Sequence, residues 1–64
     1  MQDKINKVLN LKVCVVDARV EKVFDGILSK EDNLYIVKND NGSVLTQFCI
    51  DRIKSVKGNA FYVI

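Results

Sequence analysis

The dipeptide Asn41-Gly42 lies between two β-rich runs, LYIVK and SVLTQFCI, and constrains this chain more than any other feature. Asn and Gly tolerate the positive φ angles that a tight type I′ turn needs, so the flanking runs are predicted to pair as an antiparallel hairpin. Similar punctuation recurs on both sides. Asp32-Asn33 makes a corner before Leu34, and Gly58-Asn59 precedes a closing strand, AFYVI. The connections leave no room for a crossover helix, which predicts antiparallel strands in a meander.

Upstream, Ile5, Val8 and Leu9 recur at helical spacing behind Asp3, an N-cap candidate, and predict a short helix over residues 3–9. From Leu11 the period changes to that of a strand. LKVCVVD carries Leu11, Val13 and Val15 on one face and Cys14 and Val16 on the other, the pattern of a strand covered on both sides. In KVFDGILSK an isolated glycine, Gly26, marks a bulge or bend where a strand passes from one sheet to another. Val44, Thr46, Phe48 and Ile50 share a face, and DRI reads as a single 3₁₀ turn before KSV. The sum is one helix and five strands, with room for a sixth. The expected fold is mainly β: a five-stranded antiparallel SH3-like barrel with a short N-terminal helix, one domain over residues 1–64.

A chain of 64 residues lies near the lower limit for a single core. Domains of this size usually add disulfides, a metal or oligomerisation. Two cysteines, Cys14 and Cys49, and no histidine leave a zinc site two ligands short, so neither metal nor cofactor is expected. The start, MQDKINKVLNLKVCVVD, does not resemble a signal peptide, and no apolar run approaches the ~20 residues of a membrane span. A cytoplasmic chain keeps both thiols reduced, and in VCVV and FCI each serves as a small hydrophobe. Oligomerisation is the staple left over. The apolar end Phe61-Tyr62-Val63-Ile64 is the candidate interface, because a bare strand there would be an aggregation hazard.

Ten basic and eight acidic residues give a net charge of +2, which neither demands nor excludes nucleic acid. Asp17, Glu21, Asp25, Asp32 and Asp51 form no acid–base pairing, and no nucleophile has a base, so no enzyme is expected. Lys30, Arg52, Lys54 and Lys57 are candidates for a phosphate-contacting rim; the competing reading is a solvated loop around Asp51. Asn33 has two readings as well, a contact to a base edge or a turn residue. Phe24, Tyr35, Phe48, Phe61 and Tyr62 could stack on bases, but alternating in strands they read as core, with Tyr35 or Tyr62 at a subunit interface where a hydroxyl stays wet.

The pattern G-x-L-x-x-x-D in GILSKED, followed by N-L-x-I at Asn33 to Ile36, the Asn41-Gly42 turn and I-x-x-I-x-x-V from Ile50 to Val56, resembles the Sm/Hfq superfamily of small barrels over residues 3–57. The resemblance implies a homo-oligomeric ring in which the fourth strand of one subunit pairs with the fifth of the next. It also implies single-stranded RNA bound at loops around the pore or on a face. The Met-Asn pair and Arg-Gly of Sm proteins and the Tyr-Lys-His run of bacterial Hfq are not present here. A protein-interaction or assembly module on the same small barrel is the alternative.

Overall fold

The chain runs through α1 (Gln2–Asn6), β1 (Lys12–Asp17), β2 (Lys22–Glu31), β3 (Leu34–Lys38) and β4 (Val44–Cys49). A 3₁₀ turn (Ile50–Arg52) then leads into β5 (Ile53–Lys57) and β6 (Ala60–Val63), in a computed structural model that describes residues 2–64. All six strands form one sheet in the order β4-β3-β2-β1-β6-β5. The protein is mainly β with one short helix, as expected, but the sheet is open and has six strands rather than five.

One pairing departs from the predicted meander: β1 and β6 are parallel. The Gly58-Asn59 turn folds β6 back along β5, and β6, not β5, takes the place beside β1. Parallel neighbours need a long connection, and the intervening strands supply it. β4 and β5 occupy opposite edges yet are joined only by Ile50–Arg52. The sheet must therefore curl until its two edges approach, although no ladder joins them among the described residues.

β2 is the hinge of this curl. Residues Lys22 to Ile27 pair with β1, and Ile27 to Glu31 pair with β3. At the handover sits Gly26, where a Cβ would run into the carbonyl oxygen of Lys38 and lie 2.9 Å from Val37 Cγ1. The glycine is needed for this close approach of backbone.

The β3–β4 hairpin forms, with a different turn from the one expected. Only Gly42 has a positive φ, +83°, and the loop spans three residues between Asn39 and Ser43. Gly42 N donates to Asn39 O at 3.0 Å and Asn39 N to Ser43 O at 2.9 Å, a turn followed by a left-handed residue. The Asn39 side chain braces it, with Oδ1 accepting from Asn41 N at 2.9 Å and Ser43 N at 3.0 Å.

The helix ends at Asn6, short of the expected residue 9, and Asp3 lies inside its first turn instead of capping it. Asn10, at φ +66°, donates its N–H to Leu28 O at 2.7 Å and pulls the chain into the sheet. So short a helix holds only through packing: Ile5 is fully buried, with Val8 and Leu9 against the same core.

That core joins Val13 and Val15 to Leu28, Tyr35, Val37, Phe48, Ile53, Val56, Phe61 and Val63. Phe61 and Val63, expected at a subunit interface, are thus core residues, and β6 is paired on both sides. The expectation of a bare terminal edge is corrected: the unpaired edges belong to β4 and β5, and only Tyr62 and Ile64 of that segment are exposed. The outer face of β1 is not fully covered either, since Cys14 and Val16 are only half-buried. α1 puts its apolar residue into the core and leaves that face open.

Candidate nucleic-acid interface

Lys30 stands near the end of β2, and Asn33 is the second residue of the β2–β3 turn. Asp32 before it adopts a left-handed φ of +55°, which Asp tolerates better than most side chains and which lets the strand reverse in two residues. This reversal brings Lys30 and Asn33 beside Cys49, Ile50 and Asp51 at the start of the 3₁₀ turn. Together with Tyr35 and Gln2 they line a depression of about 410 Å³.

Tyr35 is 1% exposed and stacks on Phe48, with ring centroids 6.1 Å apart and planes at 27°; Phe48 in turn meets Phe61 at 6.2 Å. Lys30 Nζ sits 5.6 Å from the Tyr35 ring centroid, a cation–π distance. Among the described residues the buried Tyr35 hydroxyl has no hydrogen-bond partner. An orphaned hydroxyl of this kind costs about 1–3 kcal/mol. The depression therefore offers a cation, the Asp51 carboxylate, an exposed carboxamide and an apolar flank, groups suited to a planar polar ligand.

Arg52 does not join this group. Its Nη2 meets both oxygens of Asp17, at 3.2 and 3.3 Å, and its Nε donates to the Ile64 carbonyl at 2.8 Å. Ile64 N returns a bond to Arg52 O at 2.8 Å. The guanidinium is thus occupied in tying the 3₁₀ turn to the ends of β1 and β6.

Lys54 and Lys57 lie elsewhere again. They line a groove of about 410 Å³ with Lys4, Ser55 and Val56. An adjoining groove of about 300 Å³ adds Lys7 and Val8. A register shift between Ile53 and Ser55 explains how Lys54 and Lys57, three apart in a strand, share one groove: the bulge leaves Lys54 and Ser55 both exposed. The single rim expected from sequence is therefore split into a pocket, a clamp and a lysine groove. Lys4 and Lys7 were missed; their i, i+3 spacing was the available signal, but it acquires meaning only once α1 packs on β5.

Cys14 and Cys49 are free thiols on different strands. The Cys14 thiol is held above its ordinary pKa, first by burial, then by its hydrogen bond to Asp25 and the charge of that carboxylate. Among the described residues no three His, Cys, Asp or Glu side chains cluster to hold a metal ion. Among the described residues no helix is long and apolar enough to cross a membrane.

Fold and site together define a small, curled, six-stranded β protein with a largely apolar pocket edged by polar groups at one pair of loops and a basic groove beside its helix. No protein-family model, curated protein or solved structure matches the chain.

Proposed function

We propose that this chain is an Sm-like small barrel, acting in the cytoplasm as a non-enzymatic, ring-forming protein that binds single-stranded RNA. The observation that carries the reading is the depression holding Lys30, Asn33 and Tyr35 against Ile50 and Asp51. Two turns distant in sequence converge there, and the exposed Asn33 carboxamide can pair with a base edge while Lys30 faces a phosphate. Ring closure would use the two unpaired edges, β4 of one copy against β5 of the next, a head-to-tail contact.

The test is equilibrium binding of A-rich, U-rich and mixed oligonucleotides at two salt concentrations. Lys30→Gln should lower the salt slope by about 0.7, the single-strand value per neutralised charge. Asn33→Ala should alter base preference with the slope unchanged. A second reading, a protein-interaction module, is favoured by the same free edges, which can accept a partner's strand. No binding to any of the three RNAs at about 50 mM salt, where electrostatic binding is strong, would leave that second reading.

A further inference from the structure

We propose that the groove between α1 and β5 is a separate site for a linear run of phosphates, as carried by a single nucleic-acid strand or an inorganic polyphosphate. It goes beyond the pocket reading, since it needs neither Asn33 nor a base.

Lys4 and Lys7 from one end of the chain meet Lys54 and Lys57 from the other along adjoining grooves that share Lys4, Val56 and Lys57. Among the described residues no carboxylate lines either groove. Among the described residues the only ion pair is Arg52 with Asp17, so none of these ammonium groups has an acidic partner within 4 Å. In a chain of net charge +2, this is a local segregation of charge. Such a strip attracts a polyanion by releasing its counterions. Lys54 Nζ lies 5.8 Å from the Tyr62 ring centroid, which restrains its direction.

Lysines on an edge strand also deter strand pairing, and that alone would account for Lys54 and Lys57. It does not account for Lys4 and Lys7, which belong to α1 and the turn after it. Nor does assembly through β5 conflict with the proposal. Strand pairing uses the backbone in the plane of the sheet, whereas side chains stand out of that plane.

The probes are tripolyphosphate and a short single-stranded oligonucleotide. Wild-type protein should bind at least the oligonucleotide at about 50 mM salt, and Lys4→Gln/Lys57→Gln should weaken it about tenfold and lower the salt slope by about 1.4, that is 2 × 0.7. Tripolyphosphate bound with the same sensitivity assigns the site to phosphates of any source; oligonucleotide alone assigns it to nucleic-acid strands. Asn33→Ala should leave tripolyphosphate binding unchanged, so failure of the base pocket and failure of this site are told apart. All four lysines are exposed, and the double variant is expected to fold. Should it not, amide shifts of the wild-type protein on adding either probe decide. Shifts at Lys4, Lys7 and residues 55–58 support the site. The proposal is overturned if neither probe binds, if the double variant binds like wild type, or if the shifts spare Lys4, Lys7 and residues 55–58.

Discussion

Arg52 and Asp17, 35 positions apart in the sequence, close into an ion pair of 3.2 Å, and Asp17 is the one charged residue buried among those described. Removing the guanidinium leaves that carboxylate with only the Arg19 N–H, at 2.9 Å. Arg52→Ala should therefore cost about 3 kcal/mol, the low end for breaking a buried pair because Arg52 keeps some exposure. Asp17→Ala/Arg52→Ala should cost less than the sum of the single changes. Urea unfolding measures both. Arg52→Lys should recover only part, since a lysine cannot reach Asp17 and the Ile64 carbonyl at once.

Gly26 and Gly42 should respond differently to alanine. At Gly26 the added Cβ meets backbone, which cannot swing aside, so Gly26→Ala should cost about 2–3 kcal/mol. At Gly42 nothing lies within 4 Å, and only the φ of +83° resists. Gly42→Ala should cost about 1 kcal/mol, the scale of left-handed strain. Equal losses at the two sites would contradict the hinge assigned to β2.

The sequence makes the turns legible because their chemistry is local: Asp32-Asn33, Asn41-Gly42 and Gly58-Asn59 all fall between strands, and the 3₁₀ turn expected at residues 51–53 forms one residue earlier, at Ile50–Arg52. Gly26 was readable as a special position, but in one continuous sheet it serves a close approach to the Lys38 backbone and not a passage between two sheets. What eluded sequence reading is non-local. Nothing near Phe61 says that β6, not β5, lies beside β1, and a terminal apolar run looks the same at an edge or in a core. Arg52 likewise reads as a free cation until the fold brings Asp17 to it from 35 positions away. The pocket was half visible, in Lys30 and Asn33, while its other wall depends on how the sheet curls.

The two thiols should differ in reactivity. Cys49 is exposed, while Cys14 is half-buried and its thiol is held protonated by burial and by Asp25. An alkylating reagent at mildly alkaline pH should modify Cys49 first, and Asp25→Asn should speed reaction at Cys14. Because the folded-state pKa of Cys14 is raised, its contribution to stability is present below the ordinary thiol value and fades as pH rises through the raised one.

Assembly should depend on the free edges. A proline in β4 at Gln47, or in β5 at Ser55, removes a donor and stiffens the strand, so either should reduce the oligomer mass seen by light scattering. Circular dichroism establishes that the variant still folds. A wild-type chain that is a stable monomer at micromolar concentration would contradict ring formation.

Tyr35→Phe separates fold from ligand, because it deletes the orphaned hydroxyl and keeps the ring on Phe48. Stability should hold or rise by about 1 kcal/mol, since an unsatisfied buried group is lost. A fall in melting temperature would mean that the hydroxyl has a partner in the fold.

The central claim, that single-stranded RNA enters the Lys30–Asn33 depression, is tested most directly by following backbone amide shifts while a short single-stranded RNA is added. The account predicts the largest changes at Asn33, Leu34, Ile50 and Asp51, with the Arg52–Asp17 clamp and the outer face of β1 unmoved. RNA that binds without perturbing the β2–β3 turn, or that leaves every amide unshifted, would contradict it.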